Sequence, residues 1–501
     1  AGLFFGWLPA LIWIVVGSIF VGGVHDFGAA VASVRHKAKS VAELAKQYIT
    51  PTAYKLFLAF IWLTLIYVIV VFMDLTATTF VNVEMNGSGV AISAIIFVAL
   101  ALVMGYATMR RGLGIKGGTL IFLPLVLLAI YVGDVLSVEG GLLPRLAGAE
   151  NNSWNVILLF YCLVASITPV WILLQPRDYL SSWLLYLSVV GSGVGLLIGA
   201  LTGVVEFSAQ WPAWVRPGQV TGLGVTHLGP VFPILFITVA CGACSGFHSI
   251  VASGTTAKQI RRETDTQRVG YGAMLIEGVV AVIALAAVMI LPFGLGGFRS
   301  DPVEIYANGI GHFLTSFGIP HRFGAHFGLL ALSTFLLTTL DTCTRLCRYI
   351  VQEAFGWDKN DAKSRILATV VTLILPAYLV FVTYTHPETG QVLPAWRAVW
   401  PVFGATNQLL AALALLAVTV WLKRTGRTWA FTGLPMVFML VMTMTALGRL
   451  VFEFRFSLIG VIATVLFLLG LLLAIEAAKA FRLQELGPEP VTLKPAEALA
   501  D

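Results

Sequence analysis

Charge is what this chain has least of. Only 11% of its 501 residues are Asp, Glu, Lys or Arg, and 58% are hydrophobic; soluble domains carry roughly 25% charged residues. At a mean hydropathy of +0.90, no stretch reads as a long soluble domain. Cysteine is scarce too. Cys162, Cys241, Cys244, Cys343 and Cys347 all fall inside or at the ends of apolar runs, which argues against an extracellular disulfide framework. Cys241 and Cys244 form a CxxC, but no second ligand pair accompanies them, so no metal site or cofactor is expected. The first apolar run lacks a basic leader, so no cleavable signal peptide is expected. The formal net charge of +6 comes from basic residues scattered over short loops, which is not a nucleic-acid signal.

What is present is apolar runs. Windows of about 20 residues predict thirteen membrane helices: 3–24, 52–73, 88–109, 117–136, 154–174, 183–205, 229–253, 270–294, 323–345, 364–386, 396–422, 429–450 and 456–478. The fold class is therefore an all-α polytopic membrane protein. Placing the loop after the first span in the cytoplasm puts most basic residues inside, among them Arg110, Arg111, Arg177, Lys258, Arg261, Arg345, Arg348 and Lys359. Outside remain Arg145, Arg216, Arg299, Arg322, Arg397, Arg449 and Arg455. That asymmetry follows the positive-inside rule and puts the C-terminus in the cytoplasm. Residues 28–47 read as a basic interfacial helix. Residues 206–227 form a longer outer loop, and 301–316 a short outer helix with Asp301 as N-cap and Pro302 first. Residues 486–501 are a polar, Pro-containing tail.

One span has an unusual interior. An apolar run leads into Thr238–Thr256, TVACGACSGFHSIVASGTT, which fills with Gly, Ser, Cys, Thr and one His. Lipid offers no hydrogen bonds, so such a stretch must pack against protein or line a wet cavity. Small hydroxyls and loosened carbonyls at membrane depth suit a solute or ion site; close helix packing through small residues is the alternative. Thr168-Pro169 interrupts the fifth span and frees carbonyls. Gly191, Gly195, Gly199 and Gly203 make a packing stripe. Asn407 and Gln408 lie well inside the eleventh span, as gating or packing groups.

Ionisable residues inside apolar spans are weighed separately. Glu277 has nothing of opposite charge within a helical turn, so it needs a proton or a partner on another helix. Asp341 has Arg345 four residues on and Arg348 seven on, so a local ion pair is expected. His25-Asp26 closes the first span, as a cap or a gate. Asp74 and Glu206 sit at outer helix ends and are expected to be solvated.

Five separated segments carry a resemblance. CGACSGFHSIVASGTT, YGAMLIEG, VHDFGAAVASVRHK, LLQPRDYLS and FGATNQLLAALAL resemble the carbon starvation protein A family from about Gly22 to Leu415. The resemblance implies a bacterial or archaeal inner-membrane protein that takes up peptides or pyruvate when better carbon sources run out. It also implies the five-plus-five inverted repeat of the amino acid-polyamine-organocation transporters. Members of that family usually begin with another hydrophobic helix and a His- and Gly-rich helix; here residue 1 is Ala, so a missing N-terminus is expected. On that scheme 1–348 is the transporter core, with an incomplete first repeat at 1–136 and a second at 154–348. Residues 349–482 add further membrane helices, and 483–501 are a cytoplasmic tail.

The expected function is a secondary transporter importing a small nutrient, a peptide or a pyruvate-like monocarboxylate, coupled to protons in preference to sodium. Ser166, Thr168, Cys241, Gly242, Ser245, His248 and Ser249 are the candidate substrate ligands. Glu277, Ser253, Thr255 and Thr256 are the candidate ion-coupling residues; Asp26, Asp341, Asn407 and Gln408 are gating or packing groups. The alternatives are a channel, or an intramembrane hydrolase in which Ser245 and His248, three apart, act as nucleophile and base.

Overall fold

The computed structural model describes residues 1–82, 85–139, 141–146, 148–203, 209–215, 230–291, 302–358, 361–385 and 392–482. Glu206, Arg216, Arg299, Asp301, Lys359, Lys494, the 486–501 tail and most of the 206–227 loop lie outside them. Sixteen helices of eight or more residues are numbered here. They are α1 Trp7–Arg35, α2 Val41–Tyr48, α3 Pro51–Val81, α4 Gly87–Arg110 and α5 Ile115–Val135. Next come α6 Glu150–Ile167, α7 Leu174–Thr202, α8 Val231–Thr238, α9 Gly246–Gly254 and α10 Gln267–Met289. The remainder are α11 Pro302–Leu314, α12 His321–Phe355, α13 Ala362–Leu379, α14 Ala395–Arg424, α15 Ala430–Phe454 and α16 Leu458–Phe481. A small antiparallel ribbon pairs Thr383–Thr385 with Val392–Pro394.

Eleven of the described helices are long and apolar enough to cross a membrane. The two remaining expected spans are those the structure interrupts. The span expected at 154–174 ends at Ile167, where Pro169 stops the helix instead of bending it. The span expected at 229–253 splits into α8 and α9. Leu120, Leu201 and Leu434 are 77%, 87% and 74% exposed; apolar surface of that kind faces lipid, which makes this a multi-pass membrane protein. At the centre stand α12 and α14; the most apolar stretch of α14 is buried throughout.

Local chemistry sets the boundaries. The Thr50 hydroxyl accepts from Ala53 N–H, with Pro51 at the first position of α3, where its missing donor costs nothing. Ser40 accepts from Glu43 N–H to start α2, and Asn86, in the left-handed region at φ 57°, accepts from Gly89 N–H to start α4. The interfacial helix expected at 28–47 does not form. Residues 23–35 continue α1, because Ala29, Ala30, Ala32 and Ser33 are small enough to be buried among other helices. Only residues 41–48 form a separate helix, α2, with Val41, Ala42, Leu44, Ala45 and Tyr48 buried.

Two acidic groups are placed differently from expectation. Asp74 is not solvated at a helix end. It lies inside α3 at 3% exposure and accepts from Asn151 Nδ2 (2.5 Å), Asn155 Nδ2 (3.2 Å) and Trp396 Nε1 (2.8 Å). Asp341 of α12 pairs with Arg177 of α7, not with Arg345; both side chains are wholly buried. Tyr161 donates to Asp341 Oδ2 at 3.0 Å and accepts from Arg177 Nη1 at 2.6 Å. Arg345 instead donates to the carbonyls of Ala165 and Thr168, each at 2.6 Å. These are carbonyls that the Pro169 stop leaves free at the end of α6. Arg177, expected in an inner loop, is thereby a buried tie between α6, α7 and α12.

Removing one member of a buried ion pair strands the other, at a cost of about 3–5 kcal/mol. Asp341→Asn should therefore lower the melting temperature and folded yield in detergent well beyond the effect of Asp178→Asn, whose side chain is half exposed. Differential scanning fluorimetry checks the order. The ends of the bundle make a second prediction. Gln175 meets Gln259 at one end, and Arg322 meets Asp134 at the other. Single cysteines at Arg261 and Arg145 should react with impermeant maleimide from opposite faces of sealed vesicles.

Candidate functional site

The seven residues between α8 and α9 leave helical geometry in the middle of the bundle. An interrupted helix frees backbone groups that lipid cannot satisfy, and α14 supplies the partners. Asn407 Oδ1 accepts from Phe247 N–H at 3.1 Å and from Ser245 Oγ at 3.3 Å, covering the start of α9. Gln408 Nε2 donates to Phe236 O at 3.0 Å, covering the end of α8. Trp13 Nε1 donates to Val239 O at 3.1 Å inside the break. Such contacts need close backbones. A Cβ on Gly246 would lie 2.2 Å from Asn407 O, and one on Gly404 would lie 2.2 Å from Ile237 O. Asn407 and Gln408 are thus packing groups of a specific kind: they staple the broken helix.

Two further irregularities face this break. Residues 18–22 of α1 and 267–272 of α10 each make a widened, π-type turn, a local form that recurs at functional sites. Tyr271 of the second donates to Ile19 O of the first at 3.0 Å. Past these turns come Asp26 on α1 and Glu277 on α10, and between them lies His248 of α9.

His248 Nδ1 is 2.9 Å from Asp26 Oδ2, and His248 Nε2 is 3.0 Å from Glu277 Oε2. When both carboxylates are ionised they can only accept, so each ring nitrogen then carries a proton and the ring is an imidazolium held between them. His25 Nδ1 donates to the other oxygen of Asp26 at 2.7 Å. Access is graded along the row. Side-chain exposure is 0% at His25, 7% at Asp26, 23% at His248 and 34% at Glu277. Three helices meet through one ring, and the end nearest Glu277 is the open one. Cys241 is exposed as well, with Sγ 3.6 Å from Ser245 Oγ.

The candidate residues divide accordingly. Cys241, Gly242, Ser245, His248 and Ser249 lie at the break or in the first turn of α9, beside Asp26 and Glu277. Gly242 abuts Ala281 of α10. Ser249 is buried and donates to Gly246 O. Ser166 and Thr168 belong elsewhere: Ser166 Oγ meets Thr369 Oγ1 of α13 at 3.2 Å, and Thr168 Oγ1 donates to Val164 O. Ser253, Thr255 and Thr256 end α9. Ser253 Oγ donates to Ser249 O and accepts from Val41 N–H, and Thr255 Oγ1 donates to Val251 O. Thr256 opens a short tight turn. The hydrolase arrangement is not formed, because both His248 nitrogens meet carboxylates and Ser245 Oγ donates to Asn407. Sequence reasoning weighed Asp26, His248 and Glu277 separately; it had no means of joining them.

Known proteins can be set beside this geometry. A family model described as carbon starvation protein CstA matches residues 2–297 and 294–446. The peptide transporter CstA of Campylobacter jejuni is 30% identical over 496 residues, covering 88% of this chain and 68% of that protein. The pyruvate/proton symporter BtsT of Escherichia coli is 30% identical over 527 residues, covering 89% of this chain and 71% of that protein. The peptide transporter CstA of Helicobacter pylori is 32% identical over 506 residues, covering 87% and 69%. Among solved structures, a manganese transporter of Eremococcus coleocola aligns over 95% of this chain and 94% of its own, at 10% identity and a TM-score of 0.39, too distant to argue from. With helices, break and ionisable row in place, the matched segments settle the grouping: this chain belongs to the carbon starvation protein CstA family.

Proposed function

We propose that this protein is a proton-coupled secondary transporter of the inner membrane that imports a small carboxylate-bearing nutrient during carbon starvation. The nutrient is a peptide or a pyruvate-like monocarboxylate, the solutes named for the relatives. The observation that carries the reading is His248, held at a helix break between carboxylates from two other helices. Ionisable groups inside a membrane bundle are costly and mark ion or solute paths. Here they form a row closed at His25 and open at Glu277. A proton arriving at Glu277 weakens its hold on His248, so protonation and helix position are linked. Cys241, Gly242, Ser245 and Ser249 line the same break as polar or small contacts for the solute. Ser166 and Thr168, with Ser253, Thr255 and Thr256, serve the hinges at the ends of α6 and α9. The reading keeps the inverted-repeat layout, with repeats at 1–136 and 154–348 and a cytoplasmic C-terminus.

Proteoliposomes test it. Purified protein should accumulate labelled pyruvate or dialanine when the outside is acidified, and should lose accumulation when a protonophore collapses the gradient. His248→Gln and Asp26→Asn should each reduce accumulation about 30- to 160-fold, as expected when a partner of a buried charge-assisted bond is removed at about 2–3 kcal/mol. Glu277→Gln should abolish accumulation while leaving solute exchange. Cys241 should be modified by a small thiol reagent, and saturating solute should slow that reaction. Accumulation driven equally well by sodium at constant pH would overturn proton coupling.

A further inference from the structure

The ionisable row carries a charge count that constrains what can bind to it. Asp26 and Glu277 contribute one negative charge each, and the His248 imidazolium one positive charge. His25 gives its Nδ1 proton to Asp26, and its buried Nε2 has no hydrogen-bond partner among the described residues. Among the described residues the Cys241 thiol also lies beside His248. The empty site therefore carries one net negative charge, and it repels the carboxylate of a solute.

Glu277 differs from Asp26 in how it is held. Asp26 has two fixed donors, His25 and His248. Glu277 has His248 as its single donor among the described residues, no second carboxylate contact, and the greatest exposure in the row. It comes from α10, beyond the widened turn at 267–272. It is bound as a ligand would be, by one charge-assisted bond. Its carboxylate also lies where α9 begins, and the start of a half-helix favours negative charge.

We infer that Glu277 is a tethered stand-in for the substrate: its carboxylate occupies His248 Nε2 in the empty transporter, and the carboxylate of the solute takes that place when Glu277 is protonated. This rests on the proton-coupled reading above. The exchange balances. A proton joins a Glu277 oxygen to give a neutral carboxylic acid. The solute carboxylate then accepts the freed Nε2–H, and no covalent bond to carbon forms or breaks. Asp26, His248 and the bound solute again sum to one negative charge. Solute without a proton would raise the site to two negative charges. A proton without solute would leave Nε2–H of an imidazolium unpaired at membrane depth. Both intermediates are penalised, so one proton enters with each carboxylate. The specificity that follows is for a carboxylate end group, whatever lies behind it.

The test is binding to purified protein in detergent, with pyruvate and dialanine as probes and a pH indicator in weak buffer. Wild-type protein should take up about one proton per pyruvate bound, and affinity should fall about tenfold per pH unit on the alkaline side, the slope of a single linked proton. Pyruvamide, which has no carboxylate, should not compete. Glu277→Gln should bind pyruvate with no proton uptake and less than about a twofold change per pH unit. Proton uptake that persists unchanged in Glu277→Gln would overturn the stand-in role while leaving proton coupling intact. Should that variant not fold, pyruvate binding to wild type without proton uptake, or competition by pyruvamide, overturns it equally. Failure of folded wild type to bind either probe at any pH would overturn the importer reading itself, and this inference with it.

Discussion

A helix interrupted inside a bilayer must find hydrogen-bond partners for every backbone group it frees, because the lipid has none to offer. The chain meets this requirement twice. At the α8–α9 break the partners are Asn407 and Gln408 of α14, one serving the start of α9 and the other the end of α8. At the end of α6 the partner is Arg345 of α12, whose guanidinium gathers the carbonyls of Ala165 and Thr168. In both cases a side chain on one of the two central helices does the work. The two helices can do so because they are buried; a staple on a lipid-facing helix would itself lack support. That is why α14, which sequence reasoning set beyond the expected transporter core, takes part in the site.

Three acidic centres inside the bundle differ in how they are held. Asp341 and Arg177 are sealed, with neither side chain exposed, and Tyr161 bridges them. Asp74 meets no cation among the described residues, yet three neutral donors satisfy it. The Asp26–His248–Glu277 row is different, since its members come from three separate helices and their exposure rises from one end to the other. A sealed ion pair resists change because each partner would strand the other. The row leaves its last member, Glu277, 34% exposed and held by one bond among the described residues.

Much of the helical framework was legible in the sequence. Long apolar runs have few alternatives once charge is so scarce, and the Gly- and Ser-rich stretch at 238–256 announced its own break. Long-range pairing was not legible. Asp26 and His248 are 222 residues apart, and Arg177 and Asp341 are 164 apart. Spacing rules within a helix select Arg345 for Asp341, and they fail because Arg345 is already committed to the carbonyls freed by Pro169. The same blindness made Asp74 look like a helix end, since its donors arrive from α6 and α14. The misread segment at 28–47 failed for another reason. A charge-bearing stretch of alanines fits an interface and a tight packing seam equally well, and only its neighbours decide between them.

The contacts of α9 also differ in what can change them. Toward α14 they are uncharged bonds to Asn407, backed by the close approach at Gly246, and no proton alters them. Toward α1 and α10 they are carboxylate bonds to His248, which a proton weakens directly. The two sides are therefore unequal during any protonation event. Loosening at Glu277 would leave α9 on α14 and weaken only its charged tie to α10, while His25 still holds Asp26 in place. The polar break thus has one fixed wall and one releasable wall, and the releasable wall is the one that carries the exposed carboxylate.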